Sequence, residues 1–160
     1  MAREDHIDVH KGMGLVPEIF RKEDPSLLSG SHAVGHVRDS TTGASALVNA
    51  QPFVVRHKGR SYAVAHNGNL TNAQKLRAAL EEGGSIFQST MDSEVALHQL
   101  LGNIRGRSLR EGLLKTAGEL EGAFSMIFLT GEGEMIGMKD RHGFRPPLSG
   151  QTGAGAYSGL

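Results

Sequence analysis

Two β-rich runs, Phe53 to His57 and Ser61 to His66, face each other across Lys58-Gly59, and a block of helical periodicity follows before strands return. That order of hairpin, helices and hairpin restricts the fold more than any other feature of the chain. A Gly-containing turn between two such runs is a hairpin signal. Behind it, the strand reading of Tyr62 to Ala65 stops at Asn67-Gly68-Asn69, an ordinary turn sequence. Thr71-x-x-Gln74 has capping-box spacing and opens a helix with Ala73, Leu76 and Leu80 on one face, closed by Glu82-Gly83-Gly84. Ser89-Thr90-Met91-Asp92 is a second start signal, ahead of Leu97, Leu100, Leu101 and Ile104 at helical spacing. Ser108-x-x-Glu111 is a third, ahead of Leu109, Leu113, Ala117 and Leu120. Ala123 to Thr130 then reads as a strongly apolar strand, and Gly131-Glu132-Gly133 turns it into another, Met135 to Lys139. Consecutive antiparallel strands around a helical block predict an α+β fold with helices packed on sheet faces.

The ends are less regular. His6 to His10 alternates as a short strand, Val16 to Phe20 starts a short helix closed by Asp24-Pro25 and Gly30, and Ser31 to Arg38 is a further strand candidate. From Arg141 the pattern fades, and Gln151 to Leu160 is rich in Gly, Ala and Ser with no usable period. Residues 1–150 are therefore expected to form one domain, with 151–160 a flexible or non-native tail.

Composition removes several chemistries. Lys+Arg and Asp+Glu both number 17, so there is no net charge to hold nucleic acid or an anionic membrane. No apolar run approaches the ~20 residues of a membrane helix. The charged start Met1-Ala2-Arg3-Glu4-Asp5 has no apolar core of a secretory signal, which makes a cytoplasmic protein the expectation. Cysteine is absent, so the 160 residues hold no disulfide, thiolate metal site or thiol nucleophile. His6/His10 and His32/His36 are spaced i, i+4, but in strand-like runs, where that spacing does not bring two rings onto one ion; no metal or other cofactor is expected in this chain.

Three separated loops carry unlike polar groups. Arg38 could fork onto a carboxylate, Asp92 could accept an ammonium, and the Asn67 side chain with the Gly68 N–H could face a negative oxygen developing on a carbonyl. Together they would clamp one amino acid by both charged ends. Each residue also has a plain reading, as a solvated Arg, a turn Asn and a helix-capping Asp.

Taken jointly, the phrases Lys11-Gly-Met-Gly-Leu-Val16, Gly35-His-Val-Arg38 with Ser40-Thr41-Thr42-Gly43, Ala50-Gln-Pro-Phe53, Ala65-His-Asn-Gly-Asn-Leu-Thr-Asn72, Asp92-Ser-Glu-Val95, Glu121-Gly-Ala-Phe-Ser125 and His142-Gly-Phe-Arg-Pro146 add a resemblance. Their order and spacing, from about Val9 to Arg145, resemble the class II glutamine amidotransferase domain of the amidophosphoribosyltransferase family. The resemblance implies an N-terminal nucleophile hydrolase fold, an αββα sandwich of two antiparallel sheets between helical layers, here without its first strand. It implies that an N-terminal Cys attacks the glutamine amide with its own α-amine as base, through a glutamyl thioester that water releases as glutamate. By motif, Arg38 would hold the substrate carboxylate, Asp92 its ammonium, Thr41 would line the pocket, and Asn67 and Gly68 would form the oxyanion hole. Glutamine is the implied partner. Ammonia would pass to a missing phosphoribosyltransferase domain, the only place where magnesium is expected, and the family allows a homo-oligomer. The chain itself is expected to be inactive for lack of the Cys. Two alternatives stand beside this: a non-catalytic glutamine-binding module, and an amidotransferase domain serving another acceptor such as a sugar phosphate.

Overall fold

In a computed structural model of the chain, residues 1–22, 28, 30–37, 46–152 and 155–159 are described. The α+β expectation holds. Strands β1 (Ala2–Arg3) and β2 (His6–Ile7) form a small hairpin, followed by helix α1 (Val16–Lys22). A four-stranded antiparallel sheet then carries the fold, in the order β3 (Phe53–His57), β4 (Arg60–Leu70), β5 (Gly122–Thr130) and β6 (Met135–Lys139). Helices α2 (Ala73–Glu82), α3 (Asp92–Asn103) and α4 (Leu109–Glu119) connect its middle strands.

Period-2 alternation assigns the two faces of the sheet. Phe53, Val64, Phe124, Met126, Phe128 and Met138 point to one side and join Ala96, Leu97, Leu100 and Leu113 in the main core under α3 and α4. Ala63 and Leu129 point to the other and meet Ala2 and Ile7 of the β1–β2 hairpin, with Val34 and Val54 alongside. Strong apolar burial on both faces explains why β5 reads as a near-continuous hydrophobic run.

Several local expectations hold. The β3–β4 turn is Lys58-Gly59, both at positive φ (50° and 83°), the backbone twist that a two-residue hairpin requires. Ser108 and Glu111 make a complete capping box on α4. Others change. The first turn of α2 takes no side-chain cap from Thr71; Asn72 stands at the cap and spends its amide elsewhere, donating to the Glu119 carbonyl (2.8 Å) and accepting from Glu121 N–H (3.1 Å). Tertiary bonds across 47 and 49 residues outcompete the local box. Residues 31–37 form no strand, only an isolated bridge between His32 and Ala2, and the β2 pairing stops at Ile7 rather than reaching His10. Where the composition offers no period, from Gln151 onward, the backbone pairs β7 (Leu148–Thr152) with β8 (Gly155–Gly159), a hairpin that straddles the boundary drawn at 150. Gly, Ala and Ser carry little periodic signal, but backbone hydrogen bonds need none.

Candidate active site

Asn67-Gly68-Asn69 is not a turn. β4 runs straight through it to Leu70, paired with β5 in unbroken register: Asn67 opposite Ser125, Gly68 opposite Phe124, Leu70 opposite Gly122. The dipeptide stays extended because its ladder partner is present, which outweighs its turn propensity. Gly68 is required there. Its φ is +141°, and a Cβ would strike the Ala123 carbonyl oxygen and lie 2.7 Å from Phe124 Cα.

The partner strand on the other side ends early. β3 accompanies β4 only as far as Phe53 opposite Val64, so among the described residues β4 is laddered on one side from Ala65 to Leu70. Backbone groups alternate along a strand. Val64 turns toward β3, and therefore so do His66, Gly68 and Leu70, onto the edge that β3 has vacated. Side chains fill two of those three places. Gln51 accepts from His66 N–H (2.6 Å) and donates to its carbonyl (3.1 Å). Asp92 accepts from Leu70 N–H (3.0 Å). Gly68 N–H lies between them, facing outward from an exposed residue.

Asp92 opens α3, where the unpaired N–H groups of the first turn favour a carboxylate. Its other oxygen meets Nδ1 of the buried His66 at 3.0 Å. Burial alone would push the Asp92 carboxyl up; the hydrogen bond and attraction of His66, with the N–H groups of Leu70 and Ser93, more than offset this and hold it below the ordinary carboxylate value. The segment leading to Asp92 is tied from behind. Glu94, fully buried, accepts from Gln88 N–H (2.7 Å), Ser89 N–H (2.7 Å) and the Ser89 hydroxyl (2.6 Å). Asn49 accepts from Thr90 N–H (3.3 Å). Asp92 is thus held by α3 and its approach loop, and its carboxylate sits two residues along the edge from the Gly68 peptide, about 7 Å.

The Asn67 side chain stands on the opposite face from His66. Arg145 donates to its Oδ1 at 2.9 Å. A cleft of about 160 Å³ opens nearby between α1 and Gln51, lined among others by His10, Lys11, Phe20, His36 and Gln51. Burial lowers the Lys11 ammonium pKa. Val37 and Ala46, the described residues flanking 38–45, both line this cleft. Arg38 and Thr41 fall outside the described residues.

Of the five residues singled out in the sequence, Asn67, Gly68 and Asp92 are therefore brought together, joined through β4 itself. Gln51, His66, Glu94 and Arg145 were not singled out as site residues, although each lies in a phrase that carried the resemblance. A hydrogen bond between residues 15, 26 or 78 positions apart has no local signature.

Residues 36–157 match the glutamine amidotransferase domain family. An amidophosphoribosyltransferase of Lacticaseibacillus casei is 44% identical over 149 residues, which cover 92% of this chain and 75% of that protein. The chain belongs to the amidophosphoribosyltransferase family, as its glutamine amidotransferase domain. Amidophosphoribosyltransferase 2, chloroplastic, of Arabidopsis thaliana is 46% identical over 156 residues, 98% of this chain. Among solved structures, the glutamine phosphoribosylpyrophosphate amidotransferase from B. subtilis complexed with ADP and GMP superimposes with a TM-score of 0.84 at 36% identity, over 98% of this chain. The chain spans only 28% of the Arabidopsis protein and 33% of the B. subtilis chain. The N-terminal nucleophile hydrolase fold expected of the amidotransferase domain is therefore the fold observed.

Proposed function

We propose that this domain binds glutamine along the open edge of β4 and supplies the oxyanion donors for release of its amide nitrogen. One observation carries this reading: the Gly68 peptide is the open place on the edge between two side-chain-filled ones, with the Asn67 amide beside it and the Asp92 carboxylate about 7 Å away. That separation suits glutamine, whose ammonium would meet Asp92 while its side-chain carbonyl reaches Gly68 N–H and Asn67. Asp92 retains lone pairs for an ammonium after accepting from His66 and Leu70, since a carboxylate offers about four acceptor sites. Arg38 would take the substrate carboxylate and Thr41 would line the pocket; the described residues that flank them in sequence, Val37 and Ala46, line the cleft.

The attacking sulfur is not among these 160 residues. In this reading an N-terminal Cys elsewhere in the whole protein forms the thioester, and the ammonia passes to a phosphoribosyltransferase domain making phosphoribosylamine for purine synthesis. Magnesium, in this reading, would serve only that transferase domain. The setting is cytoplasmic, which fractionation of the host cell would check, since several plant relatives are named chloroplastic.

Calorimetry tests the core of the proposal. Glutamine is expected to bind saturably, with binding abolished in Arg38→Ala and in Asp92→Ala. Glutamate release from the purified chain should not exceed that of a variant with Arg38, Asn67 and Asp92 all changed to Ala. Absence of glutamine binding would overturn the assignment of the pocket.

A further inference from the structure

The Asn67 amide has a partner that the oxyanion reading does not require. Arg145 donates to Oδ1 at 2.9 Å, and a guanidinium has donors only, so the contact settles which end of the amide faces it. The oxygen must turn to Arg145, and the NH₂ group is left facing away. The bond is exposed, where such contacts add little to stability. Among the described residues no carboxylate pairs with Arg145.

The loop carrying Arg145 is itself fixed to the strand opposite Gly68. Asp140, 3% exposed, accepts from His142 N–H and Gly143 N–H (both 2.8 Å) and from Phe124 N–H (3.2 Å), and its own N–H donates to the Phe124 carbonyl (2.9 Å). Phe124 is the register partner of Gly68. A closed circuit therefore runs from Gly68 through Phe124, Asp140 and Arg145 back to Asn67.

We infer that Arg145 is a positioning residue that locks the Asn67 amide with its NH₂ toward the glutamine carbonyl and strengthens it as a donor. This rests on the proposed role of Asn67. A cation on Oδ1 draws electron density from the amide and makes its N–H groups better donors, and chained hydrogen bonds polarise one another in this way. The same charge adds positive potential where the oxyanion develops.

Two measurements on the full chain test this. In ¹⁵N NMR, the Asn67 side-chain NH₂ pair, assigned by its loss in Asn67→Ala, should be dispersed and should collapse toward mobile-amide positions in Arg145→Met, while backbone signals elsewhere stay put. Arg145→Lys, which keeps a donor, should retain part of the dispersion. An unchanged Asn67 pair in Arg145→Met overturns the inference, whether or not glutamine binds. In calorimetry, Arg145→Met should weaken glutamine roughly tenfold and leave norvaline, which keeps both charged ends but lacks the side-chain carbonyl, unchanged. Equal weakening of both ligands, or of neither, also overturns it. A native chain that binds no glutamine sinks the proposed function instead, and the NMR result then decides the Arg145–Asn67 link alone.

Discussion

The Gln51 side chain closes both hydrogen-bonding ends of the His66 residue, accepting from its N–H at 2.6 Å and donating to its carbonyl at 3.1 Å. A single primary amide thus does what the next residue of β3 would do, and it holds β4 straight just before Asn67.

Replacing Gln51 with Leu leaves two buried backbone groups without partners. The expected cost is about 3 kcal/mol of stability, read by urea unfolding. Hydrogen exchange of the His66 amide should speed up before that of Val64, which keeps its β3 partner. Equal protection of both amides would contradict the role given to Gln51.

Gly68→Ala tests the strand geometry of the donor pair. A Cβ at φ +141° meets the Ala123 carbonyl, and β5 cannot yield without losing its register. A loss of about 2 to 3 kcal/mol is expected, together with loss of glutamine binding. A variant as stable as the native chain would show that the peptide has another conformation in solution.

Glu94→Gln keeps shape but turns an acceptor of three donors into a group with one acceptor oxygen and an NH₂ facing N–H and O–H groups. Stability should fall by about 2 to 4 kcal/mol, since buried donors are left unmatched. Because the same carboxylate ties down the approach to Asp92, ligand affinity should drop in parallel. Retained affinity at reduced stability would separate the two effects.

His98 and Asp92 contribute to the acid limb of stability beside His57, Glu111, Glu119 and Asp140, which the fold also holds below their ordinary values. Burial lowers the His98 pKa below its ordinary 6.5, only partly offset by Glu94 and reinforced by Arg77. The Asp92 pKa lies below its ordinary 3.8. In both cases the folded state binds fewer protons than the unfolded one, so the stabilisation is complete above the ordinary value and is lost as pH falls toward the lower folded value. Unfolding free energies measured against pH should therefore decline in two ranges, below about 6.5, where His57 adds to His98, and again below about 4.5, where the glutamates and Asp140 add to Asp92. His98→Gln should make the first decline shallower and Asp92→Asn the second. An acid limb unaltered by either substitution would refute the assignment.

Element types were legible where local chemistry decides them. Lys58-Gly59 between two alternating runs, and Ser108 three residues before Glu111, act within a few positions and give the hairpin and the capped helix as read. The reading failed where a distant partner takes over. Asn67-Gly68 looks like a turn until β5 pairs with it, and Thr71 looks like a cap until Asn72 bridges to Glu119 and Glu121. The resemblance grouped Asn67, Gly68 and Asp92, which periodicity could not do, and all three lie on or against the one strand β4. The supporting residues stayed hidden because a strut such as Gln51 or Arg145 is defined by what it touches, not by its neighbours in the chain.

The early end of β3 has one more consequence. A bare sheet edge recruits other strands, because successive peptides along it offer donors and acceptors at strand spacing. Here Gln51 and Asp92 occupy the places on either side of Gly68, so among the described residues an incoming polypeptide meets blocked positions before and after the one left open. On the proposed reading the edge discriminates by size: one small molecule would dock where a second copy of the chain would not add a strand.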